Sequence, residues 1–115
     1  MFARLSENDV HKRLVKLLNK ADVDFWHTPN EGKRTNAAMG KLRAMGLKPG
    51  IPDLVILTPP PCGGYIGAAL ELKVGRNRPT DSQEEWLQRF REYGWAATWT
   101  CGYEEAFDQL VDWGY

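Results

Sequence analysis

Three residues near the middle of the chain have types that can do chemistry together. Asp53 comes directly before the apolar run at residues 54–57, and Glu71 and Lys73 close a second apolar run that begins at Tyr65. Carboxylate oxygens are hard ligands that suit Mg²⁺ or Mn²⁺, with water and substrate phosphate oxygens completing the coordination shell. Such an ion polarises a phosphodiester and lowers the pKa of bound water. We therefore treat these three residues as candidates for metal-assisted hydrolysis.

A pKa argument narrows the role of Lys73. To act as a general base, a lysine must lower its pKa from about 10.4 to about 7.4, which costs roughly 4 kcal/mol. The two neighbouring carboxylates oppose that change because they favour the charged ammonium. We expect the metal to activate the water and Lys73 to position the phosphate and stabilise its developing charge. A purely structural ion pair between Glu71 and Lys73 is the alternative.

The two apolar runs predict a pair of β-strands that hold these side chains. Residues 59–64 are rich in proline and glycine and cannot form regular structure, so the runs are read as two strands joined by a loop. Side chains alternate along a strand, which places Glu71 and Lys73 on one face and Leu70 and Leu72 on the other, towards a core. The hairpin brings Asp53 close to this pair.

The first helix carries a third carboxylate. Ser6 is a plausible N-cap, and apolar residues recur at helical spacing, so a helix is predicted over residues 7–20. Glu7 falls within the apolar stripe of that helix rather than on its wet face. Two explanations stay open: a negative charge in the first turn stabilises the helix by about 0.3–1 kcal/mol, or Glu7 is a further metal ligand.

An amide side chain begins the helix that follows the hairpin. Two overlapping capping boxes are present, Thr80 with Gln83 and Ser82 with Glu85, and the helix is predicted to run to Tyr93. Gln83 precedes the apolar positions of this helix by three, four and seven residues, so it points towards the sheet. It is either a capping amide or a residue of the site.

The remaining elements complete an α/β domain. A short strand is predicted at residues 24–27, a weak helix at 35–45 and a strand at 95–100. A final helix is marked by Tyr103, Ala106, Phe107, Leu110 and Val111. The α-β-α-β-β-α-β-α order predicts a mixed sheet flanked by helices, with a central hairpin and a helical crossover to a parallel strand. At 115 residues, the chain is expected to form a single domain over residues 1–115.

The distribution of charge suggests where a polyanion would bind. The chain has 15 basic and 15 acidic residues, which argues against a uniformly basic nucleic-acid-binding protein. Cations nevertheless cluster before and after the hairpin, and clustered cations are what phosphate contacts require. The candidate DNA-binding residues are Lys33, Arg34, Arg43, Lys48, Arg76 and Arg78. An ordinary solvated face is the alternative, and the connection at residues 46–50 is either a phosphate contact or only a loop.

Other features bear on location. The chain has no run of about 18 apolar residues and no apolar signal core near Met1, so we expect neither a membrane span nor export, and we expect a cytoplasmic protein. Cys62 and Cys101 lack metal-site spacing, so both are predicted to be free thiols.

Taken together, these residues resemble the PD-(D/E)xK nucleases, and within them the VRR-NUC (virus-type replication-repair nuclease) group in its short stand-alone phage and bacterial form. The resemblance covers most of the chain and rests on Ser6-Glu7, the Gly-Ile-Pro-Asp of residues 50–53, the Glu-Leu-Lys of residues 71–73, and Gln83. It implies a restriction-endonuclease-like fold, a homodimer and cleavage of structured DNA such as four-way (Holliday) junctions.

The resemblance also implies roles for particular residues. Glu7, Asp53 and Glu71 would surround a divalent ion, with assistance from the Leu72 carbonyl. Lys73 would be the catalytic lysine and Gln83 an accessory active-site residue. The loop at residues 59–64 is longer than the turns of the family, so its position relative to the substrate is left open.

Two other classes of function compete with a nuclease. One is a catalytically inactive module that binds nucleic acid through the basic residues. The other is a structural or partner-binding domain with exposed aromatic residues such as Trp113 and Tyr115. Because all four motif positions are filled, a decayed active site is disfavoured. The sequence does not choose among junctions, flaps, single strands and duplex as substrates.

Overall fold

A computed structural model describes residues 5–28 and 35–115 of the chain. Along the chain, its elements are α1 (Glu7–Lys20), β1 (Phe25–His27), α2 (Asn36–Ala44), β2 (Leu54–Ile56), β3 (Ala68–Lys73), α3 (Asp81–Glu92), β4 (Ala96–Cys101) and α4 (Tyr103–Trp113). The predicted order of elements is confirmed. The largest shift is at the start of β3, three residues later than predicted because Tyr65 and Ile66 are exposed.

The four strands form one mixed sheet in the order β1-β2-β3-β4. β1 and β2 are antiparallel, as are β2 and β3, while β3 and β4 run parallel. This confirms the predicted central hairpin and the crossover through α3. Leu54 at the start of β2 lies opposite Leu70 near the end of β3, so Asp53 and Glu71 meet at one end of the hairpin.

The two faces of the sheet carry cores of different size. α1 and α4 cover one face, where Leu14, Leu70 and Leu110 belong to a large apolar cluster. α3 covers the other face, where the buried cluster is only Ala69, Leu87 and Ala97. Glu71 lies on the α3 face because side chains alternate along β3. The site therefore occupies the face with less apolar packing.

The N-caps of α1 and α3 are the residues that the sequence predicts. In α1, the Ser6 hydroxyl accepts a hydrogen bond from the Asp9 backbone N–H at 3.1 Å. In α3, the structure uses the first of the two overlapping boxes: Thr80 is the N-cap and Gln83 closes the capping box. α2 begins at a Thr35 cap but contains no buried side chain. It adds little to the core, as its interior glycine suggests.

The apolar stripe of α4 differs from the predicted one. The helix buries Ala106, Leu110 and Trp113, whereas Phe107 and Val111 are exposed. The expectation that Trp113 is an exposed aromatic is wrong: it is 7% exposed, because it continues the inward face at the i+3 spacing from Leu110. Tyr115 is half-buried, and its hydroxyl donates to the Thr58 carbonyl at 2.6 Å. Neither residue named as an example for the partner-binding interpretation is fully exposed.

The loop at residues 59–64 lies at the opposite end of the hairpin from Asp53. The Cys62 backbone N–H donates to the Trp113 carbonyl at 2.9 Å, which ties the loop to the end of α4. The loop therefore packs against α4, away from Asp53 and Glu71.

Two smaller expectations can also be compared with the structure. Cys62 and Cys101 are both free thiols, as predicted, and the Cys101 thiol donates to the Gly75 carbonyl at 3.2 Å. Among the helices in the described residues, none has the length and apolar character needed to cross a membrane.

Candidate active site

Asp53 is held against the end of β3 by the backbone. Its Oδ2 accepts a hydrogen bond from the Leu72 N–H at 2.8 Å. The N–H and C=O of one strand residue point to the same side of the strand. The Leu72 carbonyl therefore points to the side where Asp53 lies, which is the position that the proposed ligand role of this carbonyl requires.

Glu71 is a buried carboxylate with one satisfied oxygen. The residue is 2% exposed. Its Oε1 accepts a hydrogen bond from Gln83 Nε2 at 3.3 Å and lies 3.8 Å from Lys73 Nζ. Its Oε2 is buried and has no hydrogen-bond partner within the part of the chain that the structure describes. A buried charge of this kind costs free energy unless a proton or a cation compensates it.

The surroundings of Glu71 favour its neutral form. Burial, followed by the charge of Asp53, raises the pKa of Glu71 to about 9, and the Lys73 ammonium only partly opposes this. The predicted ion pair between Glu71 and Lys73 is present, but one ammonium does not neutralise the two carboxylates beside it. Ionisation of both carboxylates would leave the site with a surplus of negative charge, which adds to the effect of burial in favouring neutral Glu71.

Gln83 caps α3 and also contacts Glu71, while its role in the site stays a prediction. Its Oε1 accepts a hydrogen bond from the Thr80 backbone N–H at 2.8 Å, which completes the capping box of α3. Its Nε2 simultaneously donates to Glu71. Because the first contact fixes the amide, the second contact orients the Glu71 carboxylate.

Glu7 lies near Asp53 but does not complete a set of metal ligands with Asp53 and Glu71 in this structure. Burial raises the pKa of Glu7, the Asp53 charge raises it further, and the Lys73 charge lowers it. Glu7 and Asp53 line the same cleft. Across residues 5–28 and 35–115, however, no three His, Cys, Asp or Glu side chains form a ready cluster for a metal ion. Whether Glu7 is a ligand stays a prediction.

Asp53 lies between two clefts. A cleft of about 160 Å³ on one side is lined by Lys48, Glu71 and Gln83. A cleft of about 330 Å³ on the other is lined by Glu7 and both histidines of the chain. A larger cleft of about 780 Å³ lies between α1 and the start of α4, away from Asp53 and Glu71. The two smaller clefts share Asp53 and therefore flank the candidate residues.

Gly50 brings the segment before Asp53 against α3. Its φ is +90°, a conformation that non-glycine residues rarely adopt. A Cβ at this position would lie 2.8 Å from the Ser82 carbonyl carbon and oxygen. Only a residue without a side chain allows this approach, which builds the wall shared by Asp53 and Gln83.

Of the basic residues predicted to bind DNA, Lys48 is placed against the candidate site. Lys48 lines the smaller cleft, which supports its predicted place near the site. Arg43 is exposed on α2, and Arg76 and Arg78 are exposed in the loop after β3. The Arg78 guanidinium lies over the Trp99 ring, 5.9 Å from its centroid. Lys33 and Arg34 fall outside the described residues.

Sequence reasoning missed the two histidines. The rings of His11 and His27 contact each other edge to face, with centroids 4.3 Å apart. Burial, then the neighbouring His27, lowers the pKa of His11, while Asp53 opposes this. A signal was present in the sequence, because His11 follows Glu7 by four residues and so lies on the same helix face.

Comparisons with known proteins agree with this geometry. The model of the VRR-NUC domain matches residues 5–101. A solved structure described as a VRR_NUC domain protein superposes with a TM-score of 0.80 at 21% identity, covering 98% of this chain and 91% of that one. Another, described as a VRR_NUC domain, gives 0.60 at 20% identity, covering 95% and 97%. No curated protein matches the chain.

The family match identifies the chain as a domain of a nuclease family. The chain belongs to the VRR-NUC family, since the family model covers most of its length. The family resemblance stated from the motifs is confirmed, and so is the mixed α/β fold with helices on both faces. As a member of a nuclease family, the protein is assigned a nuclease function that acts on DNA.

Proposed function

We propose that the protein is a metal-dependent endonuclease that hydrolyses phosphodiester bonds of DNA, with branched DNA such as four-way junctions as the substrate. The observation that carries the proposal is the state of Glu71, a buried carboxylate whose Oε2 has no partner among the described residues. Most buried polar side-chain atoms have a hydrogen-bond partner, so an unpartnered oxygen beside a second carboxylate supports a bound cation at this place.

The donor set fits Mg²⁺ or Mn²⁺. Both ions prefer carboxylate and carbonyl oxygens, and Mg²⁺ keeps several waters, so one or two carboxylates suffice. Glu71 Oε2 and Asp53 supply two such groups, and the further candidates are the Leu72 carbonyl and Glu7, which lines the second cleft at Asp53. A divalent cation would also offset the repulsion that raises the pKa of Glu71.

The ion, when bound, polarises the scissile phosphodiester and lowers the pKa of coordinated water. The protein residues have distinct tasks around it. Lys73, whose side chain is only 12% exposed, presents its ammonium beside Glu71 and stabilises charge that develops on the phosphate. Gln83 keeps the Glu71 carboxylate in one orientation. Asp53 is fixed by the Leu72 N–H.

Substrate binding is assigned to the flanking basic residues. Lys48 lies at the cleft and Arg43, Arg76 and Arg78 are exposed, so all four are able to contact backbone phosphates. A chain with zero net charge is expected to bind duplex DNA weakly, which favours recognition of DNA shape. A homodimer would place two active sites on two strands of a junction. The dimer and the cytoplasmic location stay predictions.

Cleavage of end-labelled DNA tests the proposal. A four-way junction and a linear duplex of the same sequences are incubated with Mg²⁺, Mn²⁺ or EDTA, using wild type, Asp53→Asn and Lys73→Met. We expect metal-dependent cutting, faster on the junction, that both substitutions abolish. Asp108→Asn and Lys41→Met are matched controls on exposed surfaces and should cut normally.

Three results would count against parts of the proposal. Cutting in EDTA excludes the metal requirement, and equal rates on junction and duplex exclude recognition of branched structure. Tight, salt-dependent DNA binding without cutting under any metal condition would instead indicate the inactive binding module. Circular dichroism of each variant separates loss of chemistry from loss of folding.

A further inference from the structure

The two histidines of the chain lie together beside the candidate active site, and the proposed hydrolysis uses neither of them. His11 comes from α1, one turn after Glu7, and His27 is the last residue of β1. Their rings meet at an interplanar angle of 82°. Two distant segments therefore bring both imidazoles to one point.

The cleft of about 330 Å³ next to these rings is lined by two chemically different sets of side chains. Glu7 and Asp53 supply oxygen acceptors. The other residues, here called the donor wall, are Asn8, His11, Lys12 and His27, which offer amide, imidazole and ammonium N–H donors. Such donors suit phosphate oxygens, which accept hydrogen bonds and carry negative charge.

The position of the cleft follows from Asp53, which lines both this cleft and the one with Glu71. A DNA strand whose scissile phosphate lies at Asp53 and Glu71 must continue past one side of Asp53 or the other. The donor wall gives its next phosphate a place to bind, while the carboxylates stay with the reacting phosphate and its cation.

We propose that this donor wall is a second phosphate subsite, in which Lys12, His11 and His27 bind the DNA backbone phosphate adjacent to the scissile one. The inference rests on the proposed nuclease function and specifies how its substrate is held. Lys12 supplies charge from the rim, and the paired imidazoles supply directed N–H groups from the wall of the cleft.

A matched pair of lysines tests the charge contact. Lys12 and Lys16 are both exposed on α1, one turn apart, but only Lys12 lines the cleft. Affinity for a fluorescent four-way junction is measured by anisotropy from 50 to 300 mM salt in EDTA. Lys12→Ala should lower the slope of log affinity against log salt by about 1. Lys16→Ala should leave the slope unchanged, and equal slopes in the two variants would overturn the proposal.

Alanine substitutions test whether the imidazole N–H groups of the two histidines bind the phosphate. His11→Ala and His27→Ala should each weaken binding about three- to tenfold, as loss of one hydrogen bond of about 1 kcal/mol does. His11→Gln retains an N–H group and should recover part of the affinity. If both alanine variants unfold at lower temperature but bind the junction like wild type, the pair is only structural and the proposal is wrong.

Steady-state cleavage in Mg²⁺ separates this inference from the nuclease proposal. Lys12→Ala should raise KM with little change in kcat, because a contact away from the reacting phosphate binds ground state and transition state alike. If wild type cuts DNA and Lys12→Ala behaves like Lys16→Ala, only the subsite fails. If wild type does not cut and the two lysine variants still differ in binding, only the nuclease proposal fails.

Discussion

The two ends of the β2–β3 hairpin satisfy their polar groups in opposite ways. At the loop end, the Thr58 carbonyl accepts from Tyr115 and the Cys62 N–H donates to the Trp113 carbonyl. At the other end, Asp53 and Glu71 are brought together, and one buried Glu71 oxygen has no partner among the residues that the structure describes.

The difference teaches where the hairpin contributes to stability and where it contributes to function. The loop end closes its hydrogen bonds with the end of α4, which stabilises the fold. The site end keeps two carboxylates close together in a partly buried place, which raises the pKa of Glu71 and costs stability when no cation is bound. Substitutions at the two ends should therefore have opposite signatures.

The largest expected effect is on cleavage at the site end. Glu71→Gln keeps the shape of the side chain but removes the negative charge, and we expect cleavage to fall by at least about 10²–10³-fold. Glu85→Gln, at an exposed position of the same helix as Gln83, should cut within about twofold of wild type. Single-turnover rates in Mg²⁺ are the measurement, and more than a tenth of wild-type rate in Glu71→Gln would contradict the assignment.

Two glycines with positive φ, one at each end of the hairpin, allow the two ends to be compared directly. Gly50→Ala places a Cβ 2.8 Å from the Ser82 backbone, whereas Gly63→Ala, in the loop, meets nothing within 4 Å among described atoms. Both pay about 1–2 kcal/mol for the left-handed backbone. Gly50→Ala should lose further stability through this clash. Its cleavage rate should also fall at least tenfold, because the added Cβ displaces Asp53. Urea unfolding measures the stability of the two variants, and cleavage assays measure their rates. Equal effects of the two substitutions would show that the two ends of the hairpin do not differ in this way.

The pH dependence of stability should reveal the effect of burying Glu71 beside Asp53. The pKa of Glu71 is raised from 4.5 to about 9 in the folded state, so the folded protein binds the extra proton between these values. The stability of the metal-free protein should consequently fall as pH rises from about 4.5 to about 9.

Glu71→Gln should remove that fall. The variant should melt above wild type near pH 8 and at about the same temperature near pH 4.5. Thermal melts in EDTA across this range are the measurement, with Mg²⁺ added at pH 8 to restore wild-type stability. If the Tm of metal-free wild type does not change with pH, the ionisation of Glu71 beside Asp53 does not destabilise the fold.

The smallest expected effect belongs to the loop end. Tyr115→Phe removes the hydrogen bond to the Thr58 carbonyl and should cost about 1 kcal/mol, or roughly 4 °C in Tm. Cleavage per folded molecule should not change. Tyr93→Phe, at an exposed tyrosine, is the control and should be neutral. A loss of cleavage in Tyr115→Phe beyond its loss of folded protein would mean that the two ends are coupled.

Local patterns in the sequence were enough to predict the elements and much of the site. Alternation along β3 separates Glu71 from Leu72, and the capping signal at Thr80 places Gln83 at the start of α3. These features depend on residues close in sequence. The family resemblance, confirmed over residues 5–101, linked them to Asp53 and to a nuclease.

Features that depend on distant contacts were not predictable in this way. The unpartnered oxygen of Glu71 and the contact of His11 with His27 arise from packing between separate elements. The stripe of α4 was misassigned because Phe107 and Val111 are apolar, yet the sheet meets the face that includes Trp113. Composition identifies apolar residues, but the position of the neighbouring sheet selects which of them are buried.

The placement of the hairpin loop has an evolutionary consequence. Residues 59–64 connect β2 to β3 at the end remote from the carboxylates, and they contact α4 rather than either cleft at Asp53. In a connection this long, strand register follows from the buried face of each strand rather than from a tight turn, so a change in loop length leaves the ends of β2 and β3 that carry Asp53 and Glu71 in place. Insertions and deletions in this loop can therefore accumulate under selection for folding alone, so its length should diverge between lineages faster than the motif residues change.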